Sequence, residues 1–260
     1  MAPSDPPPPP FQGPGVLDGA LRLMRFLRVN CPWDQAQTPE TLIPHLLEET
    51  HEVVDAIRAG EARALAGELG DLLLNLAFQI VLAEESGRFD AEEVYRRLEE
   101  KMVRRHPHLF GGEPRDWEEL KAEERGAREG VLEGLPQGLD PLTRAHRMQE
   151  RVAGVGFEWE DHGGAWDKVA EELEEVRVAL AEGNEAAVHE EIGDLLFAVV
   201  NLTRLAGAHP TTALDAANRK FHARFEALER LARARDIVMK DAGLEVLDAL
   251  WNEVKESEEG

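Results

Sequence analysis

Apolar residues recur along this 260-residue chain at intervals of three and four, and the segments where they do so predict helices rather than strands. The first begins near Val16 and runs through Leu17, Leu21, Met24 and Leu27 until Cys31-Pro32-Trp33-Asp34 breaks it. Thr38 or Thr41 is placed to cap the next helix, whose apolar positions Leu42, Ile43, Leu46, Leu47, Val53, Val54 and Ile57 keep a helical period up to Gly60. A third helix is predicted from about Ala62 to Glu85 and a fourth from about Asp90 to Arg105, stopped by Pro107. Residues 113–138 are charged and punctuated by Gly and Pro, which reads as a linker carrying one polar helix. Beyond it, helices are predicted near 140–153, 162–182, 185–207, 211–235 and 244–255. The second half repeats the order of the first, including a Trp-containing break at Trp33 and again at Trp159.

The repeat is most exact in its acids. Glu48-Glu49-x-x-Glu52 followed by Glu68-x-x-Asp71 returns as Glu171-Glu172-x-x-Glu175 followed by Glu191-x-x-Asp194, every member displaced by 123 residues. The chain is therefore expected to be all-α, with a disordered Pro-rich leader at 1–14, a first helical domain at 15–112, the linker, and a second domain at 139–260. On the Ala62–Glu85 helix, Glu68, Asp71, Asn75 and Gln79 fall within about 80° of arc, flanked by Leu72, Phe78 and Leu82. Such a stripe faces protein interior or a pocket, where isolated carboxylates are costly and require basic partners, protonation or a bound cation. Two antiparallel helices joined at Gly60-Glu61 would set the motifs at one height and bring four carboxylates together.

Composition narrows the chemistry. With 52 acidic and 29 basic side chains the formal charge is −23, which argues against nucleic acid or an anionic membrane as a partner. An anionic substrate could enter such a site only with divalent cations between like charges. Cys31 is the only cysteine, so intrachain disulfides and Cys-based zinc sites are excluded. No signal-peptide pattern and no apolar run of membrane-spanning length is apparent, and a cytoplasmic location is expected. Oxygen-only donors suit Mg²⁺, with Mn²⁺ as a substitute. A di-iron centre would need Glu-x-x-His on two helices; Glu48-x-x-His51 meets that spacing once, its repeat places Glu174 where His51 stands, and His51 reads as an exposed helix residue. Lys220 and Arg224, and in the first half Lys101 and Arg105, stand one turn apart and suit a polyphosphate.

Cys31-Pro32-Trp33-Asp34, Leu47-Glu48-Glu49-Thr50-His51-Glu52, Gly67-Glu68-Leu69-Gly70-Asp71 and Arg104-Arg105-His106-Pro107-His108 resemble the MazG family of nucleoside triphosphate pyrophosphohydrolases. Lys168-Val169-Ala170-Glu171-Glu172, Glu190-Glu191-Ile192-Gly193-Asp194, Asn201-Leu202 and Ala217-Asn218-Arg219-Lys220-Phe221 resemble the second half of its two-domain members. The resemblance implies Mg²⁺-dependent cleavage of nucleoside triphosphates between the α and β phosphates, by all-α units completed in a homodimer or higher oligomer. It implies Glu172, Glu175, Glu191 and Asp194 as metal ligands, with Glu49, Glu52, Glu68 and Asp71 as first-domain counterparts. Lys168, Asn201, Lys220, Arg224, Trp251 and Lys255 would contact substrate, and Glu171 would assist as base beside Lys220 and Arg224 at the reacting phosphates. The second domain is expected to be the principal catalyst, because His45 occupies the position that corresponds to Lys168. A non-catalytic helical scaffold or a regulatory nucleotide-binding protein is the alternative.

Overall fold

The computed structural model describes residues 16–115 and 130–259, all helix, turn and loop, with no strand among them. The expected disordered leader and most of the linker, including its polar helix, lie outside the described residues. The chain divides into two compact units, Met1–Leu120 and Lys121–Gly260.

In unit 1, α1 (Val16–Asn30), α3 (Ile43–Ala59), α4 (Ala62–Glu85) and α5 (Ala91–Arg105) surround a core centred on α4, which packs against all three. The Cys31-Pro32-Trp33-Asp34 break is itself a one-turn helix, α2 (Pro32–Ala36), with Pro32 in its first turn, where a missing N–H is no loss. Leu21 and Met24 from α1, Leu42, and Phe78 and Val81 from α4 are buried together. Burying side chains of this size contributes about 1.5–3 kcal/mol each. Arg25 and Arg28 fasten α1 to Glu84 and Glu85 at the end of α4. Neither Thr38 nor Thr41 caps α3: Leu42 is its N-cap, and the two threonines exchange hydrogen bonds in the preceding turn, Thr38 N–H donating to Thr41 Oγ1 at 2.9 Å. By length and composition α4 could cross a membrane, contrary to the expectation that no run here is long enough. In the fold it is the helix on which unit 1 is built, and its apolar residues from Ala77 to Ala83 are core.

In unit 2, α6 (Pro141–Ala153), α7 (His162–Glu182), α8 (Glu185–Leu205), α9 (Pro210–Ala234) and α10 (Gly243–Glu259) follow. Asp140, Asp161 and Asn184 cap α6, α7 and α8 through side-chain oxygens accepting backbone N–H groups. The longest contact is between α7 and α8; α6 packs on α8, and α9 pairs with α10 through Leu228, Ala232, Leu250 and Val254 while touching α6 and α8. Gly60 and Gly183, themselves 123 residues apart, end α3 and α7 in the left-handed conformation at φ +70° and +69°. Each glycine makes a tight hairpin possible, and each hairpin sets two acidic motifs side by side.

Candidate functional site

In unit 2 the hairpin of α7 and α8 brings Glu172, Glu175 and Glu191 together, with one carboxylate oxygen of each within 4.8 Å of the others. Glu172 is 4% exposed; its Oε1 lies 2.6 Å from Lys168 Nζ, and its Oε2 is buried with no hydrogen-bond partner. Lys168 also meets Glu171 at 2.9 Å, so one ammonium offsets two carboxylates and its own pKa is pushed up, chiefly by Glu172. The carboxyl of Glu175 is pushed above the ordinary range by desolvation and then by Glu172 and Glu191, with Lys168 pulling it back. Asp194, one turn beyond Glu191, is exposed and stands outside the 4.8 Å set.

Unit 1 builds the same arrangement from Glu49, Glu68 and Asp71 on α3 and α4. Glu49 Oε2 is buried without a partner, as is Glu172 Oε2 at the matching position. Desolvation, then Asp71, Glu52, Glu68 and Glu48, raise the pKa of Glu49. Glu52 is exposed and outside the set, so each unit gathers three of the four expected acids and leaves out a different one. The stripe of α4 is only partly interior: Asn75 is buried and Gln79 reaches the carbonyl of Pro39, while Asp71 is exposed. His45, the counterpart of Lys168, turns its Nδ1 towards Glu48 at 3.8 Å. His51 is exposed, and neither acidic set includes a histidine, which leaves the di-iron reading without an imidazole.

The remaining expected substrate residues stand elsewhere in unit 2. Lys220 and Arg224 are on α9, and Arg224 is engaged by Glu258 of α10 at 2.7 Å. Trp251 packs at 5.3 Å from Phe221 and lies, partly buried, against the apolar seam of α9 and α10. Lys255, half-buried, lies on the same helix. Asn201 accepts a hydrogen bond from Arg204 at 2.7 Å and lines a cavity with Gln149 and Trp159. The Trp159 ring lies over Gly164, where a Cβ would sit 2.5 Å from it. The i,i+4 spacing of Lys168 and Glu172 is the signal from which their pairing could have been read. Gln149 and Arg204 offer none, because single polar residues on helices carry no motif.

The family model of the MazG nucleotide pyrophosphohydrolase domain matches residues 37–110 and 162–228, the segments that contain both acidic hairpins. The chain belongs to the MazG family. A MazG relative from Escherichia coli strain K12, named nucleoside triphosphate pyrophosphohydrolase, is 41% identical over 257 residues, covering 93% of this chain and 98% of that protein. One from Thermotoga maritima, named nucleoside triphosphate pyrophosphohydrolase/pyrophosphatase MazG, is 40% identical over 253 residues, with 94% and 98% covered. A nucleoside triphosphate pyrophosphohydrolase of Mycolicibacterium smegmatis is 36% identical over 161 residues, or 58% of this chain and 49% of that protein. The all-α tandem architecture expected of a two-domain MazG protein is the one observed.

Proposed function

We propose that this protein hydrolyses nucleoside triphosphates between the α and β phosphates, releasing monophosphate and pyrophosphate, at a divalent-cation centre in unit 2. The observation that carries this reading is the partnerless, buried Oε2 of Glu172 inside a cluster of three carboxylates. An anionic oxygen in that setting is costly unless a cation meets it. The names and near-complete coverage of the relatives support the activity.

The donors are all oxygens, which suits Mg²⁺, with Mn²⁺ able to replace it. Glu172, Glu175 and Glu191 would hold the ion, with Asp194 one turn away as the fourth carboxylate, and Glu49, Glu68 and Asp71, with Glu52, forming the counterpart in unit 1. When bound, such an ion neutralises triphosphate oxygens and acidifies a water for in-line attack on the α-phosphorus. Lys168 balances Glu172 in the absence of a cation, and an ion taking over that charge would leave its ammonium free for a phosphate oxygen. Glu171, exposed beside the cluster, is the proposed proton acceptor. Lys220 and Arg224 would neutralise the leaving pyrophosphate, Arg224 first exchanging Glu258 for it. Lys255 would add positive charge from α10.

Apolar side chains flank the acids on the outer faces of the hairpin: Trp166, Leu173 and Leu180 on α7, Ile192 and Leu196 on α8. We propose that a second copy covers them in a homodimer or higher oligomer, and light scattering coupled to size exclusion checks this. Activity is tested by incubating the protein with a panel of ribo-, deoxyribo- and non-standard nucleoside triphosphates and Mg²⁺ and separating the products. Monophosphate and pyrophosphate are expected; diphosphate with orthophosphate, or no turnover, overturns the proposal.

A further inference from the structure

Away from the acidic hairpin of unit 2, two histidines meet where α6 packs against the start of α9. The His146 ring lies against that of His209, with centroids 4.5 Å apart and planes tilted by 53°. Three residues earlier on α6 and two later on α9, the hydroxyls of Thr143 and Thr211 share a hydrogen bond at 3.0 Å. His146 is 7% exposed, and Pro210 beside His209 is buried. Nδ1 of each ring is buried with no hydrogen-bond partner. Buried polar atoms are rarely left unmatched, and two on facing rings call for an explanation.

The charged groups around the pair decide what a proton would meet there. From α6 come Glu150, whose Oε1 is 3.4 Å from His146 Nε2, and Arg147, which engages the other oxygen of Glu150 at 2.6 Å. From α8 comes Arg204, whose own carboxylate, Glu158 at 2.5 Å, stands in the loop before α7. α9 contributes the positive end of its dipole, with no acid in its first turn and His209 as its N-cap residue. With its N–H turned to Glu150, a neutral His146 keeps its lone pair on Nδ1. A proton added there creates a buried donor without an acceptor. Burial accordingly pushes the His146 imidazole below its ordinary range; Glu150 opposes this, and His209, Arg147 and Arg204 reinforce it. Unit 1 lacks the pair. The buried residues Leu21 and Met24 of α1 have the spacing of the buried His146 and Gln149 of α6, and Ser86 stands 123 residues before His209.

We propose that this junction is a proton-operated latch, which holds α9 on α6 while both imidazoles are neutral and opens when they take up protons. In the closed form a first proton leaves an N–H unmatched, and a second sets two cations against each other with Arg204 beside them. In the open form both rings reach water, where an imidazolium is well solvated. Acid therefore favours opening. The pair α9 and α10 meets the rest of unit 2 on α6 and α8, so release from α6 frees the start of the helix that carries Lys220 and Arg224. Opening then withdraws those two cations and slows turnover reversibly in acid, a consequence that rests on the triphosphate reading above. The latch itself does not depend on that reading.

Hydrogen exchange of the metal-free, full-length protein, corrected for the intrinsic effect of pH, tests this in the first turns of α9, with α4 of unit 1 as the reference. Each proton taken up on opening raises the opening constant about tenfold per pH unit below the ordinary histidine range. Protection of α9 relative to α4 is expected to fall about tenfold or more per pH unit there in the wild type, and to stay level in the double variant His146→Leu, His209→Asn. If the double variant does not fold, His209→Asn alone, which keeps a capping side chain at the start of α9, takes its place. An equal acid-induced loss in wild type and variant overturns the latch. So does histidine NMR of the wild type in which both rings titrate at the ordinary value while α9 stays protected. Pyrophosphate release with Mg²⁺ should fall more steeply in acid for the wild type than for the variant, and identical profiles overturn the link to Lys220 and Arg224. If the wild type cleaves no nucleoside triphosphate at any pH, the activity proposal has failed, and exchange alone decides the latch.

Discussion

Replacing Glu172 by Gln isolates the charge at the centre of the site. The side chain is buried and its volume is nearly preserved, so packing against α8 is little disturbed. Without a cation, the change removes a carboxylate whose Oε2 has no partner and leaves Lys168 its second contact, Glu171. The metal-free variant should therefore melt no lower than the wild type. With a cation the balance reverses. An ion bound only to the folded state, at a free concentration a hundredfold above its Kd, stabilises by about 2.7 kcal/mol. For a unit of this size that raises the melting transition by roughly 10 °C. Scanning calorimetry with Mg²⁺ and with a chelator should show this rise in unit 2 of the wild type and not in Glu172→Gln. The acidic set of unit 1 serves as the internal control in the same scan. A variant that gains as much from Mg²⁺ as the wild type, in the same transition, would place the ion elsewhere and refute the reasoning.

Glu191→Gln and Asp194→Asn are each expected to reduce pyrophosphate release by about a hundredfold or more while the protein remains folded by circular dichroism, whereas Glu68→Gln in unit 1 should leave most of the turnover intact. Phe78→Ala, at a residue 3% exposed, should cost unit 1 about 3–5 kcal/mol in denaturant unfolding. Glu49 and Glu175 both hold protons more tightly when folded than at the ordinary value of 4.5. The folded state then binds more protons than the unfolded chain just above that value, so these two groups favour folding below pH 4.5 and that contribution is lost as pH rises through their raised values. Metal-free melting temperatures measured across the window should show the loss, and saturating Mg²⁺ should reduce it by taking the place of the protons. A metal-free protein that gains stability from these residues as pH rises, judged against Glu49→Gln and Glu175→Gln, would contradict the assignment.

The helices were legible because their apolar periodicity is long and their ends carry strong signals. Gly60 and Gly183 mark two C-termini, and Asp90, Asp140, Asp161 and Asn184 mark four N-termini through caps that the structure contains. The start of α3 was misread because Thr38 and Thr41 satisfy one another instead of the helix. The acids of each hairpin were legible because a fixed offset repeated over four residues is hard to obtain by chance. Which three converge was not, since that depends on the rotation of one helix about another: Asp194 in unit 2 and Glu52 in unit 1 fall outside their sets by that rotation. Trp251 carried a substrate role by resemblance, and its packing on Phe221 became visible only once α9 and α10 were paired.

By itself, the sequence determined that this is an all-α chain built on a duplicated acidic hairpin, because helical period, caps and spacing are local properties that each segment carries in its own residues. Only the tertiary structure decided that Glu172 and Glu49 bury an oxygen with nothing to meet it, and that Lys168 stands guard over one cluster alone. Only there, too, does the space between α6 and α8 open into a cavity with Gln149 and Arg204 in its wall, where α1 and α4 close on hydrocarbon. Burial, orphaned polar atoms and empty volume arise where separate helices meet, and no single helix encodes them.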